Sequence, residues 1–150
     1  MAEHILTATQ TIALPPDLVF AFFADAGNLE RITPPELNFN IVTPQPIKIE
    51  KGALIDYKLR MRGIPVKWRT EISAWEPPFR FVDQQLRGPY RQWIHTHTFT
   101  ATGPNETLME DEIHYRLPLE PLGDIAHFFV RRELEYIFDF RRRAVTEILG

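Results

Sequence analysis

Between residues 53 and 117 apolar and polar side chains alternate with a period of two, segment after segment, and nothing else in the sequence restricts the fold as strongly. In "ALIDYKLRMR", Ile55, Tyr57, Leu59 and Met61 share one parity while Asp56, Lys58, Arg60 and Arg62 share the other. Successive side chains of a strand leave opposite faces, so this segment is a half-buried strand. "RGIP" reads as a four-residue loop, after which "VKWRTEISAW" alternates again, with Val66, Trp68, Thr70, Ile72 and Ala74 on the apolar side. "EPPF" breaks that strand, "FRFVDQQL" supplies the next, "RGPY" returns the chain into "WIHTHTF", and "GPNE" turns it into "TLMEDEIHYRLP".

The flanks read differently. Residues 4–14 mix apolar and threonine positions like a strand, and in "LPPDLVFAFFAD" Pro16 or Asp17 can open a helix with Leu18, Val19, Phe22 and Phe23 at helical spacing. A second short helix fits around Leu29 to Ile32, and "LNFNIVTP" begins the strands. From about Gly123 to Leu149 there is no internal Pro or Gly, and Ile125, Phe129, Ile137, Phe140, Ala144 and Ile148 recur at steps suited to one long helix. Such a helix is roughly 40 Å long. Phe129, Phe138 and Phe140 are expected in the core. The order strand, two helices, six strands, long helix is an α+β pattern, in which a curved antiparallel sheet buries its inner face against the last helix. A chain of 150 residues is expected to be one domain, 1–150.

Composition excludes several function classes. A net charge of −3, without a basic stripe interleaved with aromatics, argues against a nucleic-acid partner. "RRR" at 141–143 reads as a solvated helix face. The sequence has no cysteine, which removes disulfides, thiolate catalysis and cysteine-based metal sites. No apolar run approaches the length of a membrane span and the N-terminus lacks a secretory pattern, so no stable membrane insertion and a cytoplasmic location are expected.

The chemistry concentrates in "WIHTHTF". On a strand Trp93, His95, His97 and Phe99 leave one face. Folding the hairpin about "GPNE" sets Phe99 against Met109, His97 against Asp111, His95 against Ile113 and Trp93 against Tyr115. A lone buried carboxylate costs several kcal/mol, so Asp111 needs a partner, and His97 is the natural one. Four readings compete. His95, His97 and Asp111 could form a facial set for zinc or iron, but no further histidine or carboxylate aims at the same point, since His114 and Glu112 have the opposite parity; no metal and no cofactor are expected. His97 with Asp111 could be a general acid–base pair. The polar groups could merely satisfy one another in a packed core. Or they anchor one end of an apolar or aromatic molecule in a concave sheet lined by Tyr57, Trp68, Thr70, Trp93, Phe99 and Tyr115, the reading preferred here.

The same order of elements, with "LRGPYRQWIHTHTF" and "GPNETLMEDEIHYRLPLEPLG", resembles the helix-grip superfamily, which includes the birch-pollen allergen, steroidogenic lipid-transfer domains and polyketide cyclase/dehydrase proteins. The similarity runs from "ATQTIALPPDLVFAFFAD" to "RRELEYIFDFRRR", and more narrowly the chain looks like the bacterial ligand-binding proteins of that superfamily in which a Gly-Pro turn leads to a Trp and paired-His strand. It implies a curved seven-stranded antiparallel sheet wrapped around the C-terminal helix, with two short helices after the first strand and a cavity for a lipid, sterol, polyketide or similar molecule.

The expected function is binding of a small hydrophobic molecule without catalysis. The alternatives are a cyclase- or dehydratase-like enzyme using His97 and Asp111, and a protein-interaction module, for which no partner can be named.

Overall fold

The computed structural model describes residues 3–118 and 122–150. Its elements are β1 (His4–Ile12), α1 (Pro16–Ala24), two short 3-10 helices (Ala26–Ile32 and Pro35–Leu37), β2 (Asn40–Ile41), β3 (Leu54–Met61), β4 (Ile64–Glu76), β5 (Arg80–Arg87), β6 (Gln92–Gly103), β7 (Glu106–Arg116) and α2 (Leu122–Leu149). α1 starts where Pro16 presets the first helical turn. It ends at extended Asp25, whose side chain accepts from Gly27 N–H at 3.0 Å and starts the 3-10 segment.

The strands form one seven-stranded antiparallel sheet in the order β1-β7-β6-β5-β4-β3-β2, so consecutive hairpins build it and β1 closes against β7. Register shifts in β4, between Arg69 and Thr70 and between Ile72 and Ala74, add local bend and twist to the sheet. The fold is the helix grip expected from the sequence: the concave face packs on α2, and α1 with the 3-10 helices covers one end. No helix among the described residues is long and apolar enough to cross a membrane.

The inner stripe of α2 is Val130, Leu134, Phe138, Arg141, Ala144 and Val145. Val130, Leu134, Ala144 and Val145 are buried, and burial of each larger aliphatic contributes about 1.5–3 kcal/mol. Two expectations fail here. Phe129 is 67% exposed rather than core, because it lies beside Val130 and so faces away from the sheet. Arg141, read as solvated, is only 13% exposed at its side chain and faces inward. Ile125 lies outside the residues whose side chains are described.

The "RGIP" loop is shorter than expected. Met61 pairs with Ile64, so only Arg62 and Gly63 bridge β3 and β4, with φ of 53° and 79°. Two successive positive φ values make a type I′ turn, whose twist matches that of the flanking strands. Gly63→Ala should therefore lower stability by about 1 kcal/mol through backbone strain alone, since a Cβ there meets nothing within 4 Å. Urea unfolding checks this; an unchanged midpoint would contradict the turn assignment.

Candidate functional site

The polar centre of the concave face is built by β5, β6 and β7. Asp83 stands directly opposite His95 across β5–β6, and Asp111 directly opposite His97 across β6–β7. The short hydrogen bonds run diagonally instead. His95 Nε2 is 2.7 Å from Asp111 Oδ1, and His97 Nε2 is 2.6 Å from Asp83 Oδ2. The directly opposed pairs are longer, with His95 Nδ1 3.8 Å from Asp83 Oδ2 and His97 Nδ1 3.3 Å from Asp111 Oδ1. The last contact is not aligned as a hydrogen bond, so His97 Nδ1 is a buried nitrogen without a hydrogen-bond partner.

The expected pairing of His97 with Asp111 is thus corrected. They face each other in register, but Asp111 bonds His95, and the close partner of His97 is Asp83, a carboxylate the sequence reading overlooked. The imidazoles stack on one another at 3.7 Å and 23°, and Phe81 stacks on His97 at 4.1 Å. The stack holds both rings on edge between the two carboxylates.

Arg141 reaches the group from α2. Its Nη2 is 3.7 Å from Asp111 Oδ1, buried and without a hydrogen-bond partner, and the guanidinium lies over the rings of Phe23 (5.2 Å) and Phe138 (5.5 Å). Burial would raise the pKa of Asp111, but the Arg141 charge and the histidine hydrogen bonds outweigh it and hold the carboxyl well below its ordinary value. Burial likewise opposes ionisation of Asp83, and the charges and hydrogen bonds of His95, His97 and Arg141 overcome it. Burial and the neighbouring His97 charge lower His95. His97 is raised, because its contacts with Asp111 and Asp83 outweigh burial. Of the two imidazoles His97 is thus the one that favours the added proton, which with the Arg141 guanidinium would balance the two carboxylates. Because Asp111 is ionised, His95 donates from Nε2 and keeps a lone pair on Nδ1.

Beside this group lies a cavity of about 180 Å³ between the sheet, α2 and the 3-10 helices. Asp83, His95, His97 and Arg141 form one part of its wall, and the rest is largely apolar, including Ile55, Leu59, Ile72, Trp93, Leu134 and Phe138. Thr70 Oγ1 accepts from Trp68 Nε1 at 3.2 Å and shares a 3.0 Å hydrogen bond with Tyr57 Oη. Burial, and then the nearby Asp83 charge, raise the Tyr57 pKa, so this phenol stays protonated. Tyr90 adds a buried hydroxyl without a hydrogen-bond partner. Its place is fixed by Gln85, whose side chain donates to Tyr90 O at 2.7 Å and accepts from Tyr90 N at 3.2 Å.

Of the residues singled out in the sequence, Tyr57, Trp68, Thr70, Trp93, His95 and His97 line this cavity. Phe99, Asp111 and Tyr115 do not. Phe99 packs with Phe20, Phe23 and Phe81 under α1. Tyr115 is fully buried and shares a 2.9 Å hydrogen bond with His127 Nε2. Asp111 stands behind the imidazoles, bordering a separate polar groove of about 480 Å³ between β1, β7 and α2. Asp83, Tyr90 and Arg141 are among the wall residues not singled out in the sequence, and they carry its unexpected polar groups. The shared parity of Phe81, Asp83 and Gln85 was an available signal for the first, and the helical spacing of Leu134, Phe138 and Arg141 for the last. Asp83, His95 and His97 also bring three potential metal-ligand atoms within 4.8 Å of one another.

Comparison with known proteins identifies the family and the fold. The family model described as polyketide cyclase/dehydrase and lipid transport matches residues 3–143. No curated protein matches. Among solved structures, the Zhui aromatase/cyclase from a Streptomyces species superposes with a TM-score of 0.79 at 16% identity, covering 99% of this chain and 94% of that one. A protein from Thermus thermophilus gives 0.77 at 17% identity, with 96% and 95% covered. A START superfamily protein from Mycobacterium smegmatis gives 0.73 at 14%, with 98% and 99% covered. At such identities the likeness is one of fold.

Removing one member of the balanced group strands its partner. Asp111→Ala leaves Arg141 and the His95 N–H unmatched in the interior and should cost about 3–5 kcal/mol in denaturant unfolding. A loss under about 1 kcal/mol, the range of an exposed ion pair, would contradict the balance described here.

Proposed function

We propose that this chain, which belongs to the polyketide cyclase/dehydrase and lipid transport family, binds a small, mostly apolar molecule bearing one oxygen-containing end. The observation that carries the reading is the cavity wall: mainly aromatic and aliphatic side chains, with the charged groups concentrated at Asp83, His95, His97 and Arg141. A cavity of about 150 Å³ accommodates benzene. At about 180 Å³ the space here suits a one- or two-ring aromatic or a short-chain molecule, whereas a sterol or long-chain lipid would require the helix and sheet to part. A cytoplasmic setting, expected from the sequence, belongs to the same proposal.

A second reading, a cyclase- or dehydratase-like enzyme, is favoured by one contact. The 2.6 Å hydrogen bond from His97 to Asp83 at the cavity wall is the arrangement of a proton-transferring pair, with Asp83 in the role expected of Asp111. On that reading His97→Gln abolishes turnover while ligand affinity survives.

The binding proposal is tested with 2-naphthol, an aromatic with a single hydroxyl. It should quench the fluorescence of Trp68 and Trp93 saturably. Ile55→Trp, which fills the cavity from β3, should weaken binding at least about tenfold, roughly 1.4 kcal/mol, while Lys67→Ala on the outer face changes nothing. Equal affinity in the Ile55 variant, confirmed folded by circular dichroism, would overturn the assignment of the cavity as the binding place.

A further inference from the structure

The arrangement of nitrogens around the stacked imidazoles is more specific than an anchor for a hydroxyl requires. Each ring turns one nitrogen toward Asp111 and the other toward Asp83. Asp111 takes the far edge of both: Nε2 of His95 at 2.7 Å and Nδ1 of His97 at 3.3 Å. The near-edge nitrogens, His95 Nδ1 and His97 Nε2, share Asp83 Oδ2 at 3.8 and 2.6 Å on the cavity side.

We propose that Asp83, His95 Nδ1 and His97 Nε2 are the ligands of one divalent transition-metal ion of the zinc or iron(II) class, with its open positions facing the apolar cavity. Two imidazoles and one carboxylate on a single side are a ligand set that such ions accept while leaving room for a further ligand. Asp111 then plays the part of the outer carboxylate: it receives the Nε2–H of His95 at 2.7 Å and stands 3.3 Å from His97 Nδ1, close enough to receive that N–H once the ring turns to meet the ion. Arg141 Nη2 stands 3.7 Å from Asp111 Oδ1 on the helix side and supplies its opposite charge.

The dimensions allow it. Metal–ligand bonds of about 2.1 Å let ligand atoms lie at most roughly 4.2 Å apart. Ligands grouped on one side of an ion at that bond length stand roughly 3.0–3.4 Å apart; the three atoms here lie within 4.8 Å of one another, so the widest pair closes by up to about 1.5 Å as the ion enters. The 2.6 Å contact between His97 and Asp83, now bridged by a proton, opens slightly as the ion replaces that proton. The rings, stacked at 3.7 Å, fan apart so that their in-plane lone pairs converge.

Charge also argues for what lies opposite. Asp83, Asp111, Arg141 and a divalent ion sum to one positive charge when both histidines are neutral. An anionic oxygen at an open position, hydroxide or the carboxylate, enolate or phenolate of the cavity's ligand, completes neutrality. The proposal uses the same cavity as the binding reading but does not depend on it.

The test is Co(II) added to chelator-treated protein, read by its visible d–d bands and by paramagnetic shifts. One ion per chain should bind with the intense bands of a low-coordinate protein site, be displaced by Zn(II), and shift the indole N–H of Trp93, whose ring lies 6.4 Å from that of His95, more than the surface His114. Asp83→Asn and His97→Gln should each weaken Co(II) by more than about a hundredfold, and Asp111→Asn by about ten- to a hundredfold. No binding, only the faint bands of a hydrated ion, undiminished affinity in either ligand variant, or larger shifts at His114 than at Trp93 would each overturn the proposal. The shift comparison needs no variant, so it decides even if a substitution unfolds the chain. Binding of 2-naphthol in excess chelator reports separately on the apolar cavity: retained there, it leaves the binding reading standing when the metal fails.

Discussion

The structure depends on keeping four charged groups out of water without leaving any one of them alone. An isolated buried carboxylate costs several kcal/mol, and removing one partner of a buried pair costs as much again. Asp83 and Asp111 meet this by flanking a stacked imidazole pair, with the guanidinium of Arg141 closing the group from α2. The arrangement draws on three adjacent strands and a helix, so it also fixes how they fit. A one-residue slip of β6 against β7 would turn His95 and His97 to the opposite face from Asp111 and leave buried charge unmatched. Register here is set by electrostatics as well as by apolar parity.

How far the sequence disclosed this varies by element. The β6–β7 pairing was legible because matching the apolar parities of the two strands selects it, and the register shift between Ala101 and Gly103 reconciles that match with the tight turn, so each of the four expected cross-strand pairs appears. The contacts were not, because parity specifies which residues oppose one another and not which side chains lean diagonally. Asp83 was hidden by "FRFVDQQL", where Phe81 and Val82 are both buried and alternation breaks down beside the irregular β4. Arg141 escaped because a helix face was traced through apolar residues alone, and the arginine continuing Leu134 and Phe138 looked like part of a charged run. Phe129 shows the converse error: an apolar residue in a plausible register that in fact points outward.

Asp111 and Arg141 stand where the apolar cavity meets the polar groove beside β1, and the histidines lie between Asp111 and the cavity. One side of the group thus faces a low-dielectric space suited to an apolar molecule, while the other is held by fixed charge. Whatever oxygen, proton or cation comes to the near edge of the imidazoles meets nitrogens already oriented from behind. That preorganisation distinguishes the group from an incidental core salt bridge, and it is common to the binding, proton-transfer and metal readings.

The central claim is that the two stacked imidazoles differ, each oriented by a different carboxylate. Long-range proton–nitrogen NMR of the histidine rings in chelator-treated protein near neutral pH measures this directly. The account predicts that His95 is neutral, with its proton on Nε2 and a free lone pair on Nδ1, and that His97 is an imidazolium protonated on both nitrogens. Two rings with the same, solvent-like tautomer mixture, or a His95 protonated on Nδ1, would contradict it.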